Sequence, residues 1–211
     1  MLKGLIIFFA LSAVFTKAKA QDTNWVYMDL GEVIVTGNAT TGYDFVPGAL
    51  TLIADLRASG HKVALVSNIP ETWGASCAQK FASLKTFLDS RMNGPQTLDW
   101  TILDKVILPP FDRYRKPKTF MFMAALANAC PGKSIFLGES ADEIKTAKDL
   151  GFATFNTEVE GALPTLNQID TLLNNEFSFP NPQDCGFDQL LNAQLEAQDV
   201  GVVQSCVHTP N

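Results

Sequence analysis

From residue 25 onward the sequence alternates short apolar runs with longer amphipathic ones, and this alternation leaves few folds open. The segments "WVYM" (25–28), "KVALVSN" (62–68), "DKVILP" (104–109), "SIFLG" (134–138) and "FATFNT" (152–157) read as strands. They are mostly apolar throughout, which suits strands covered on both faces. Between and after them, residues 46–60, 71–92, 116–130, 141–151 and 163–175 read as helices. Pro47 and Pro117 stand near two of the starts, and Gly60 and Gly151 close two of the ends, as helix start and stop chemistry favours. Strand–helix units repeated in this way imply an α/β fold with a central parallel five-stranded sheet between helical layers, a three-layer Rossmann-like arrangement. The strand-to-helix loops then leave from the carboxyl edge of the sheet, where ligands bind. Asp29, Ser67, Lys116 and Glu139 all fall at that edge.

The two ends of the chain break the pattern. Lys3, the apolar run "LIIFFALSAVF" (5–15) and the small-x-small "AKA" (18–20) have the layout of a secretory signal peptide cleaved before Gln21. The other reading is an uncleaved anchor, but the run is short for the roughly 20 residues of a membrane span. Residues 21–178 then form the α/β domain, and 179–211 a polar, Gln/Asn-rich C-terminal appendage. The expected location is therefore periplasmic or secreted, with no membrane span after cleavage.

Charge and cysteines narrow the function. The chain carries 16 basic and 22 acidic side chains, and Lys3, Lys17 and Lys19 belong to the leader. An acidic surface with no basic run repels phosphate backbones, so no nucleic-acid partner is expected. Cys77, Cys130, Cys185 and Cys206 are an even set in an exported chain, which favours disulfides over thiol chemistry. There is no CxxC pair, and His61 and His208 are far apart in sequence, so zinc is not expected. His61, in "ASGHKV", reads as a surface turn residue.

The loop residues form an ordered series: "MDLG" after the first strand, "SN" after the second, "KP" before the third helix and "GES" after the fourth strand. Each has an ordinary explanation as a turn, a cap or a helix start. Together, over residues 25–174, they resemble the haloacid dehalogenase-like (HAD) hydrolase superfamily. "RKPKTFMFMAAL" and "FLGESADEIKTAKDLGF" are similar to that family's phrasing.

The resemblance implies a phosphatase working through an aspartyl-phosphate on Asp29. Ser67, Asn68 and Lys116 would bind the phosphoryl group. Asp29, the backbone carbonyl of Gly31, Glu139 and Glu143 would hold Mg²⁺. The substrate would be a phosphorylated small molecule or a phosphorylated macromolecule. Two positions depart from the family pattern. Gly31 stands where a second Asp usually supplies acid–base chemistry, and Glu139 and Glu143 replace two aspartates. The alternative is a catalytically weak or inactive domain with a binding or structural role.

The family places its cap domains at two points. Here "VTGNATTGYDF" (35–45) and "NGPQTLDWTI" (93–102) are too short for one, so a capless or minimally capped site is expected, with the tail as an optional cover. Trp73 either stacks on a substrate or packs at a helix start. Asn38 begins the glycosylation sequon "NAT". The family's strand order puts the helices bearing Cys77 and Cys130 on opposite faces of the sheet. That leaves two pairings open: Cys185 with Cys206, or each tail cysteine with a core cysteine, tethering the tail.

Overall fold

The first strand, β1 (Trp25–Met28), lies in the middle of the molecule, with Val26, Tyr27 and Met28 fully buried. The computed structural model describes residues 23–130, 132–178 and 206–210. The leader and most of the tail, Cys185 included, lie outside the described residues. After β1 come β2 (Val35–Asn38), β3 (Gly42–Phe45), α1 (Ala49–Ala58), β4 (Lys62–Val66) and α2 (Cys77–Asp89). Next are β5 (Lys105–Leu108), α3 (Thr119–Ala129), β6 (Ser134–Gly138), α4 (Ala141–Asp149) and β7 (Ala153–Asn156). The described chain ends with α5 (Thr157–Glu160), α6 (Leu166–Asn175) and β8 (Cys206–His208). No described helix is long and apolar enough to cross a membrane.

The main sheet has the order β7-β6-β1-β4-β5-β8. Its first five members in that order pair in parallel, and β1 is flanked by β4 and β6, with Tyr27 opposite both Ala64 and Phe136. The side chains alternate across the sheet as strand geometry requires. Val26, Met28, Leu65 and Leu137 join Leu56, Leu84, Leu88 and Leu173 on one face. Tyr27, Ala64, Val66 and Phe136 join Phe120, Phe122 and Phe152 on the other. Burial of Tyr27 is compatible with its hydroxyl because that group donates to Ala125 O at 2.6 Å and accepts from Asn128 at 3.1 Å.

Four features go beyond or against the sequence reading. The sheet has six strands, not five, because β8 from the tail pairs antiparallel with β5. This strand covers an edge that would otherwise present unpaired backbone groups, and the Cys77–Cys206 disulfide fastens it to α2. Cys130 is disulfide-bonded too. One tail cysteine is thus tied to a core cysteine, as in the second of the two pairings.

The helix expected over 71–92 is divided. A 3-10 turn at Glu71–Trp73 is followed by a break, and the helix restarts at Cys77. Ser76 and Gln79 form a reciprocal capping box there, which satisfies the first free N–H groups of α2. Trp73 packs on Phe87, with ring centroids 4.9 Å apart.

Residues 35–45 are an antiparallel hairpin, with Val35 opposite Phe45. Its turn needs Gly37 and Gly42, which have φ 117° and 85°, and a Cβ on Gly37 would collide with the carbonyl of Gly42. Asn38 is exposed at this tip.

His61 is not a surface residue. It is buried, and its Nε2 lies 3.0 Å from Asp170 Oδ1, which joins the start of β4 to α6. The turn that follows Gly60 folds it beneath α6 rather than outward.

Candidate active site

Asp29 is placed by the sheet itself. Its N–H donates to Leu137 O at 2.9 Å, extending the β1–β6 ladder one residue past the strand. The side chain therefore emerges at the carboxyl edge. The Leu30 N–H donates to Asp29 Oδ1 at 2.7 Å, and Asp29 Oδ2 lies 2.8 Å from Lys116 Nζ.

Lys116 reaches this point from a loop before α3. Asn68 clamps its backbone: Lys116 N–H donates to Asn68 Oδ1 at 2.8 Å, and Asn68 Nδ2 donates to Lys116 O at 3.0 Å. The Lys116–Pro117 peptide is cis. The Lys116 side chain has no exposed surface, and its ammonium also donates to Glu143 Oε2 at 2.7 Å. It stands 5.2 Å from the centroid of the Phe136 ring, where a cation meets the negative face of the π-system. A buried lysine stays charged only with such compensation.

The two glutamates occupy different positions. Glu143 is in the first turn of α4 and is held by Lys116. Burial pushes its carboxyl up, and the Lys116 charge opposes that shift. Glu139 follows β6 directly. Its pKa is pushed up to about 7, first by burial and then by the charge of Asp29. Its Oε2 is buried with no hydrogen-bond partner.

Ser67 is buried at the end of β4, where its N–H donates to Ile107 O at 3.2 Å. Asn68, expected at the phosphate, here serves as the backbone clamp and stands 3.5 Å from Glu143 Oε1. Asp29, Lys116, Glu143 and Asn68 thus meet through direct contacts, and Glu139 adjoins them electrostatically through Asp29.

Gly31 lies in a tight loop, where Ile34 and Val35 N–H groups donate to Leu30 O at 3.1 and 2.9 Å. A Cβ built at Gly31 meets nothing within 4 Å. Glycine is therefore not required there by packing. What position 31 lacks is a functional group.

Beside Glu139 opens a cleft of about 530 Å³. It is bounded by the loops after β1, β6 and β7, with Glu32, Glu139, Glu158 and Leu163 in its lining. Neither Asp29 nor Lys116 lines it. The Lys116 ammonium sits directly against Asp29, and the cleft lies on the Glu139 side. The sequence pattern did not single out Glu32 and Glu158, because they belong to no strand-end motif.

The donor set suits a hard cation. Two carboxylates, those of Asp29 and Glu143, contact the Lys116 ammonium, and Glu139 adds a third acid nearby that feels its charge only at a distance. No group of three or more His, Cys, Asp or Glu side chains among the described residues is arranged as a ready metal cage. Mg²⁺ does not need one, because it commonly takes one or two carboxylates and keeps several waters. Asp29, the carbonyl of Gly31 and the unpartnered Oε2 of Glu139 are oxygen donors of that kind.

No protein-family model and no curated protein matches the chain. Among solved structures, it is similar to D,D-heptose 1,7-bisphosphate phosphatase from B. bronchiseptica, complexed with magnesium and phosphate. The TM-score is 0.46 at 16% identity, covering 81% of this chain and 99% of that one. A protein described as a HAD-like phosphatase from Mesorhizobium loti gives a TM-score of 0.42 at 13% identity, covering 76% of this chain and 90% of that one.

Proposed function

We propose that this chain is an exported, Mg²⁺-dependent phosphatase of the HAD type, with Asp29 as its nucleophile. The observation that carries the reading is the buried Asp29–Lys116–Glu143 triad at the carboxyl edge of β1, with one Asp29 oxygen on the Leu30 N–H and the other on Lys116. A structural ion pair has little reason to sit at a sheet edge where ligands bind, and buried ion pairs are poor stabilisers in themselves.

In this reading an Asp29 carboxylate oxygen attacks phosphorus and the ester oxygen leaves, giving an aspartyl-phosphate that water then hydrolyses. Lys116 holds Asp29 in place and offers its positive charge to the phosphoryl oxygens as charge builds on them. Glu143 accepts from that ammonium and aims it. Asn68 fixes the lysine backbone, and Ser67 supplies a hydroxyl beside the phosphoryl group. Mg²⁺, held by Asp29, Glu139 and the carbonyl of Gly31, would supply Lewis-acid stabilisation of the phosphoryl charge.

Gly31 brings no proton to the leaving oxygen. Turnover therefore depends on leaving groups stable as anions, such as phenols, rather than simple alcohols. Export is supported by the leader-like residues 1–20 and by the Cys77–Cys206 disulfide. The same glycine favours a second reading, a binding domain that keeps the site without efficient turnover. Acid quenching during turnover of a radiolabelled aryl phosphate tests the choice. The phosphatase reading expects protein-bound label that hydroxylamine releases and that Asp29→Asn abolishes. Unlabelled wild-type protein under every phosphate condition would support the binding domain.

A further inference from the structure

The cleft beside Glu139 is larger than a phosphoryl group needs. Its volume, about 530 Å³, falls within the roughly 300–1,000 Å³ of small-molecule sites. Val46, Pro47, Ala162 and Leu163 give its lining an apolar part. Its charged lining is wholly acidic, with Glu32 and Glu158 joining Glu139 and no Lys or Arg among the residues that form it.

The Glu32 side chain and the Glu158 backbone are both held. Glu32 has a left-handed backbone, φ 53°, and its N–H donates to Val35 O at 2.7 Å. Its Oε2 accepts from the Thr36 hydroxyl at 2.8 Å. The Thr157 hydroxyl donates to Glu32 O at 3.4 Å, which ties the two walls together. Glu158 is set by the Asn156 cap, whose Oδ1 accepts its N–H at 2.9 Å. Lys116 acts on Glu139, but it is buried against Asp29 and Glu143 and is not among the residues that line the cleft, where Glu32 and Glu158 have no basic neighbour.

We propose that this cleft receives the leaving group, and that it selects phosphate monoesters whose alcohol or phenol joins an apolar body to a cationic group. The proposal rests on the phosphatase reading above. An ammonium-bearing group meets carboxylates and an apolar wall. A carboxylate-bearing one meets the like charges of Glu32 and Glu158, the two acids of the lining that would not hold Mg²⁺, which is the repulsive half of a specificity device.

Three probes of one shape test it: (aminomethyl)phenyl, methylphenyl and carboxyphenyl phosphate. The expected kcat/KM order is ammonium, neutral, carboxylate, with about tenfold between first and last. Glu158→Lys, whose melting curve confirms folding, should reverse the preference between ammonium and carboxylate esters, mainly through KM. An NMR titration with the matching phenols gives a readout that needs no catalysis. (Aminomethyl)phenol should shift the amides of residues 157–163 at lower concentration than hydroxybenzoate. Turnover without charge preference overturns the proposal and leaves the phosphatase reading standing. Selective phenol binding without turnover overturns the phosphatase reading, and with it the leaving-group role, while the cation-selective cleft survives. Equal binding of the phenols overturns the cleft assignment.

Discussion

Lys116 Nζ lies 2.8 Å from Asp29 Oδ2, although the two residues come from different loops and the lysine side chain has no exposed surface. Two carboxylates, Asp29 and Glu143, depend on this one ammonium. Lys116→Met keeps the bulk and removes the charge. It should lower stability by about 3–5 kcal/mol at pH 8, because two buried carboxylates lose their counter-ion. The loss should shrink as pH falls and Glu143, whose carboxyl burial pushes up, takes a proton. Urea unfolding at pH 8 and at lower pH measures it, and an undiminished stability at pH 8 would contradict the buried triad.

Glu139 gives a separate pH signature in metal-free buffer. Its folded pKa is raised from 4.5 to about 7 by burial and then by Asp29. Between those values the folded protein keeps a proton that the unfolded chain has lost. Its contribution is therefore complete below about 4.5 and is lost as pH rises through 7. Discounted for partial exposure, the loss is on the order of 2 kcal/mol. Glu139→Gln should flatten this part of the stability–pH curve and make the variant more stable than wild type above pH 7. Denaturant titrations in chelator would read the difference, and parallel curves would contradict it.

The strand-end motifs were legible because their positions follow from the alternation itself. An Asp placed after a buried four-residue strand must emerge at the carboxyl edge. The partners of those residues were less legible. Nothing in the spacing of Asn68 and Lys116 announces that one clamps the backbone of the other across 48 positions. His61 misled for a related reason: a Gly-His turn reads as exposed until α6 is known to cover it. β8 has only three residues and pairs with a strand 100 positions away, beyond any local pattern. The capping box at Ser76 and Gln79 was readable as S-x-x-Q and would have divided the 71–92 helix correctly.

Position 31 offers a gain-of-function test. A side chain there meets open space, and Gly31 is not among the residues with left-handed backbone. Gly31→Asp should therefore fold with a stability change within about 1 kcal/mol. It should raise kcat/KM for alkyl phosphates, which reads the transfer to Asp29, by roughly 10²–10⁴-fold by supplying the leaving group's proton. Aryl phosphates, which leave without that proton, should gain far less. An equal gain on both ester classes, or none, would contradict the role assigned to this position.

The disulfide can be separated from the chemistry. Cys206→Ser frees β8 from α2 and should cost about 2–5 kcal/mol of stability. Where the variant remains folded, turnover should match wild type, because β8 pairs with β5 and takes no part in the Asp29 site. Thermal unfolding and activity measured together would reveal any departure.

The proposed function stands on Asp29 as the nucleophile toward phosphorus. Steady-state hydrolysis of an aryl phosphate, with and without Mg²⁺, by wild type and Asp29→Asn tests it most directly. Wild-type turnover should depend on Mg²⁺ and fall by at least about a thousandfold in the variant. Comparable turnover by Asp29→Asn, or none by wild type across a panel of aryl phosphates with Mg²⁺ present, would contradict it.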